Sequence, residues 1–119
     1  MELIWYPKCS TCQKAKKHLE RKKFSFSLRH IAEQTPTKEE IKQWIEMYNQ
    51  GIKPFFNTSG QVYRQLGLKD KMKTMTIDEA SQLLSSNGML IKRPLLIYED
   101  NIVIGYKEEI YENDMITSQ

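Results

Sequence analysis

No stretch restricts this chain more than residues 1–23. There an unbroken apolar run, Leu3-Ile4-Trp5-Tyr6, stops at Pro7 and is followed by Cys9-Ser10-Thr11-Cys12. A short apolar run bounded in this way reads as a strand covered on both faces. Cys12, Ala15 and Leu19 then recur at helical spacing inside a lysine-rich segment. A buried strand, a tight turn and a helix opening at a Cys-x-x-Cys put Cys9 at the helix N-terminus and Cys12 one turn in.

That placement carries chemistry. The first N–H groups of a helix have no partner inside it and present about half a positive charge. A Cys9 thiolate sits in that field with Lys8 beside it, so its pKa is expected below that of a free cysteine. Cys12 is expected to be the more buried thiol and to act as the resolving one, attacking an adduct on Cys9 to close a disulfide. Free cysteine is often mere core filling, but these are the only two in the chain and both fall at a strand-to-helix turn. A closed zinc site needs four ligands, and His18 and His30 do not have the spacing of a histidine pair that would complete one. No metal and no other cofactor is expected.

At 119 residues the chain is read as a single domain, 1–119, without internal repeats. A chain of this length buries enough surface to fold without disulfide staples, so the cysteines are not a secreted scaffold. No signal peptide is apparent and no apolar run is long enough for a membrane span, which makes the cytoplasm the expected compartment. The balance of 18 basic to 15 acidic residues, net +3, suits a small anion without requiring direct contact with nucleic acid.

Phe24, Phe26 and Leu28 alternate with polar residues and predict a second strand, closed by His30 as a locally hydrogen-bonded strand end. His18, among charged residues, reads as solvated. Thr37 and Glu40 form a capping box for a helix to about Asn49, with Ile41, Trp44, Ile45 and Tyr48 on one face and Gly51 as the left-handed residue after it. Phe55 and Phe56 plug the following loop, a short helix covers 62–66, and 69–73 is a charged connection. Thr76 and Glu79 open another helix, with Ala80, Leu83 and Leu84 inward and Ser85 to Gly88 at its end. Pro94 precedes an apolar strand, Glu99-Asp100-Asn101 turns, and Ile102 to Gly105 returns as a hairpin partner. A last helix is expected from Tyr106 to Asn113, with Glu108, Glu109 and Glu112 solvated and the tail fraying. Strands 1 and 2, joined by a helix, are expected to pair in parallel. The result is an α/β fold with a four-stranded mixed sheet and a helical insertion between strands 2 and 3.

A strand, a CxxC at a helix start, and a proline opening a later hairpin resemble the layout of a thioredoxin-like domain. In that fold the proline is cis and packs beside the thiols, which implies a cis Arg93-Pro94 bond. More closely, the chain resembles the arsenate reductase-like (ArsC) family, which includes Spx-type regulators. The matching blocks are Tyr6 to Ala15, Phe55 to Gly60, Tyr63 to Leu68, Gly88 to Pro94 and Gly105 to Glu108. The resemblance implies that Cys9 attacks the substrate and Cys12 resolves, with Arg93 holding an oxyanion, and that Lys8, Arg64, Pro94 and Lys107 complete the binding site. It also implies a thioredoxin- or glutaredoxin-type reductant and a small oxyanion as partners. Three arginines hold the anion in arsenate reductases of this type; Asn57 and Tyr106 stand where two of them are expected. Enzymes of the family served by glutaredoxin carry no second motif cysteine, whereas Cys12 is present here. The alternative implied is a Spx-like redox switch that binds the RNA polymerase α subunit, for which Gly51 and Arg93 are the matching positions.

Overall fold

The computed structural model describes residues 1–112. Four strands, β1 (Glu2–Trp5), β2 (Ser27–His30), β3 (Leu95–Tyr98) and β4 (Asn101–Ile104), form one sheet in the order β2-β1-β3-β4. The β1–β3 and β3–β4 pairs are antiparallel, so the mixed character of the sheet resides in β2 and β1, the pair linked by helix α1 (Ser10–Arg21). The registers Leu3↔Leu96↔Val103 and Ile4↔Leu95↔Ile104 place successive rows on opposite faces, and every one of these residues is buried. That is why β1 reads as an unbroken apolar run instead of an alternating one.

The chain forms two compact units. Among the described residues the first comprises 1–29 and 93–112. Its core gathers Leu3, Leu96, Tyr98 and Val103 from one sheet face with Ala15 and Leu19 of α1 and Tyr111 of the last helix, α6 (Glu108–Glu112 in chain order). Each fully buried aliphatic side chain in such a core contributes about 1.5–3 kcal/mol. The expected second strand begins later than its alternation suggests. Lys23 takes a left-handed turn (φ 62°) and Phe24 N–H bonds back to the Leu19 carbonyl, closing α1. Phe24 and Phe26 lie half-buried against the core, and hydrogen bonding to the sheet starts at Ser27, whose N–H donates to Met1 (3.0 Å). Leu28, expected inside, is exposed.

The second unit, residues 30–92, is the helical insertion. Helices α2 (Lys38–Tyr48) and α5 (Ile77–Ser86) pack together, each opened by the expected capping box, Thr37 with Glu40 and Thr76 with Glu79. Lys38 and Asp78 tie their starts at 3.1 Å. Between them run a 3-10 turn at Lys53–Phe55 and two short helices, α3 (Gln61–Gln65) and α4 (Leu68–Lys71). The charged connection expected over 69–73 is thus partly helical, anchored by buried Leu68. The left-handed residue that ends α2 is Asn49 (φ 56°), with Gly51 (φ 82°) two residues beyond it.

Ser81, not Leu83, joins Ala80 and Leu84 in the buried face of α5. Gly88 does not cap that helix. It opens a 3-10 turn, Gly88–Leu90, where a Cβ would stand 2.1 Å from the Ile31 carbonyl oxygen. No helix among the described residues is long and apolar enough to cross a membrane. Asn113 and the tail expected to fray lie outside the described residues.

Candidate thiol site

The site is built where β1 hands over to α1. The Cys9 N–H donates to the Tyr6 carbonyl (3.0 Å), closing the turn through Pro7 and Lys8. The Gln13 side-chain amide clasps the same turn by donating to the Pro7 carbonyl (2.7 Å). Cys9 is the N-cap residue, in extended conformation (φ −94°, ψ 118°), with Ser10 the first helical residue. Ser, Thr, Asp or Asn usually caps a helix with a side-chain oxygen; here no side chain does so, and the free N–H groups face a sulfur instead.

Both thiols are free, Cys9 half-buried and Cys12 fully buried. Their environments drive them apart. Burial pushes the Cys9 thiol up, but the Cys12 backbone N–H, the Cys12 thiol, the Arg93 charge and the Thr11 N–H outweigh it, so its pKa falls below the ordinary value. Burial dominates at Cys12, and with the neighbouring Cys9 it pushes that thiol up to about 12. Of the two, Cys9 is the more readily ionised thiol, while Cys12 stays protonated at neutral pH. The cation acting on Cys9 is Arg93; exposed Lys8 is not among the groups that shift it.

Arg93 lies two residues before β3, and its peptide bond to buried Pro94 is cis. The Pro94 carbonyl accepts the Gly105 N–H (2.8 Å), fastening the base of the hairpin. The guanidinium lies over the Tyr6 ring, Cζ 5.2 Å from its centroid. Arg93 Nε and Nη1 are buried yet have no hydrogen-bond partner. Two donors in a planar fork, held against an aromatic face and acting on Cys9, match a carboxylate or oxyanion.

The other expected site residues are dispersed. Lys107 is exposed after β4, and Arg64 is an exposed residue of α3, in the second unit. Asn57, also in that unit, accepts the Ser59 hydroxyl (3.3 Å). His30 closes β2 as expected, its Nδ1 accepting the N–H groups of Ala32 and Glu33. No group of three histidine, cysteine or acidic side chains among the described residues is arranged to hold a metal.

His18 overturns its expectation: it is fully buried. Its Nδ1 is 2.6 Å from the Tyr106 hydroxyl and its Nε2 is 2.6 Å from Glu112 Oε1, an ion-pair distance whose direction falls short of hydrogen-bond geometry. Glu112 is exposed, as expected, but it is paired: Lys22 donates to it at 2.8 Å and, with His18, holds its carboxyl below the usual range. The ring of Tyr111 packs edge-on against Tyr106 and tilted to His18, and burial pushes its hydroxyl well up, aided by Tyr106 and Cys12. The sequence signal was the spacing: His18 follows Ala15 by three residues and lies on its side of the helix.

A strand leading into a CxxC at a helix start, with a cis-proline opening the hairpin beside it, defines a thioredoxin-like protein. The ArsC family model matches residues 4–113, and the chain belongs to that family. It is 50% identical to YusI of Bacillus subtilis (strain 168), covering 96% of this chain and 97% of that one. It is 35% identical to the regulatory protein MgsR of the same organism, over 85% of this chain and 79% of MgsR. The crystal structure of a possible arsenate reductase from Streptococcus mutans UA159 superposes with a TM-score of 0.87 at 46% identity, covering 94% of this chain and 97% of that one.

Proposed function

We propose that this chain is a thiol-based redox protein in which Cys9 is the nucleophile, Cys12 the resolving thiol and Arg93 the group that holds an oxyanion or carboxylate at Cys9. The observation that carries the reading is Arg93, with two buried unpartnered donors and a charge that acts on the Cys9 thiolate. A lowered first thiol and a raised second one support the order of events: attack by Cys9, then displacement by Cys12 with closure of the disulfide. A thioredoxin- or glutaredoxin-type dithiol then restores both thiols. Pro94 shapes the pocket wall, and Lys8, Arg64 and Lys107 are the remaining candidates for substrate contact.

Arsenate is a weak substrate in this reading. Asn57 and Tyr106 stand where arginines are expected, and the Tyr106 hydroxyl is already engaged by His18. The test is a coupled arsenate reduction assay with each reductant, on the natural chain and on Arg93→Ala. Low turnover abolished in Arg93→Ala supports the reading; efficient turnover that survives Arg93→Ala overturns the role of Arg93. The likeness to MgsR favours a second reading, a redox-responsive regulator that binds the α subunit of RNA polymerase. Absence of turnover together with binding to the C-terminal domain of that polymerase subunit selects it.

A further inference from the structure

A groove of about 460 Å³ begins at Thr11, inside the CxxC, and runs along α1 past Lys14 and Lys17 to Arg21, with Tyr106 and Glu108 opposite. We propose that this groove docks an acidic peptide segment flanking the disulfide of a protein client, a specification of the partner that rests on the reading of Cys9 as nucleophile and Cys12 as resolving thiol. The charges along α1 are not equivalent. Lys16 is accounted for, lying over the Trp5 ring and 3.8 Å from Glu20, and Arg21 is 3.9 Å from Glu112. Lys14 and Lys17 are exposed and make no ion pair among the described residues. Three residues apart, they project from neighbouring positions on one helix face, toward a groove whose other wall carries one acid, Glu108.

Length selects the occupant. Thr11 to Arg21 spans ten residues of helix, about 15 Å at 1.5 Å per residue. An extended peptide covers that distance with about four to five residues, so a short strand of client fills the groove where a small thiol compound would reach only part of it. Atoms and electrons balance at each step. The Cys9 thiolate attacks one client sulfur, forming a Cys9–client disulfide and releasing the other client sulfur as a thiolate. Cys12 sulfur then attacks Cys9, its proton passing to solvent or to the departing sulfur. The client leaves with two thiols, and the protein carries the Cys9–Cys12 disulfide. The two electrons gained by the client are those lost by the cysteine pair.

The experiment uses the full chain carrying Cys12→Ser, which traps the first adduct, and three disulfide-bonded peptides matched except for acidic, neutral or basic residues beside the cysteine. The rate of Cys9 adduct formation is followed by mass spectrometry. The acidic peptide is expected to react about tenfold faster than the basic one at low salt, with the gap closing near 1 M salt, where the Debye length is about 3 Å. Lys14→Gln with Lys17→Gln should flatten the order, and Lys14→Glu with Lys17→Glu should reverse it. Because every rate is a ratio within one protein, a change in Cys9 reactivity cancels. Equal rates for the acidic and basic peptides overturn the groove while leaving the thiol reading intact. The same flattening from Lys69→Gln with Lys73→Gln also overturns it, since net charge alone would then account for the preference. No adduct with any peptide overturns the thiol reading and the groove with it.

Discussion

His18 Nδ1 lies 2.6 Å from the Tyr106 hydroxyl, 88 residues along the chain, and this contact joins the CxxC helix to the segment after the hairpin. On the other side of the ring the Glu112 carboxylate stands 2.6 Å from Nε2. A histidine without exposed surface is tolerable in this core because both nitrogens face polar partners.

Tyr106→Phe removes the hydroxyl and leaves the buried His18 Nδ1 without its partner. The expected cost is about 1–3 kcal/mol in denaturant unfolding, while His18→Phe, which removes the polar ring as well, should not add to the loss from Tyr106→Phe when the two are combined. Strict additivity of the two changes would show that the contact has no energetic weight.

Gly88→Ala should destabilise the chain by about 1–3 kcal/mol. The obstacle is backbone: the new Cβ meets the Ile31 carbonyl oxygen at 2.1 Å and its carbon at 2.9 Å, and neither can swing aside as a side chain would. Gly51→Ala is the comparison, because nothing lies within 4 Å of a Cβ there and only the positive φ resists it. A smaller loss at Gly88 than at Gly51 would contradict the packing argument.

Much of the fold was legible because its signals are local. The run Leu3 to Tyr6, the capping boxes at Thr37 and Thr76, and Pro94 before the hairpin each dictate their own backbone. What was not legible depends on partners distant in the chain. His18 sits among lysines and is buried only because Tyr106, Tyr111 and Glu112 cover it. Phe24 packs before the strand it was expected to begin, since pairing with Met1 starts at Ser27. Gly88 carries an end-of-helix signature, but its role is set by Ile31. At the site, the two cysteines and Arg93 could be named from motif and order, whereas the Tyr6 ring under Arg93 left no mark beyond its place before Pro7.

Mild peroxide should close an intramolecular Cys9–Cys12 disulfide, with the lowered thiol oxidised first and the buried one condensing with it. Intact mass should fall by two hydrogens and recover with dithiothreitol or thioredoxin. Peptide mapping that finds Cys9 sulfonate with Cys12 untouched would sink the resolving role of Cys12.

The proposed chemistry turns on Cys9 being a thiolate held by the helix N-terminus and Arg93. Its most direct test is the rate of Cys9 alkylation against pH, in the natural chain and in Arg93→Ala. A nearby cation favours the charged sulfur, so removing it must raise the pKa. The natural chain should titrate below about 8.5, the value of a free cysteine, and Arg93→Ala should titrate higher, with Cys12 unlabelled across the same range. A natural midpoint at or above about 8.5, no upward shift in Arg93→Ala, or faster labelling at Cys12 would contradict it.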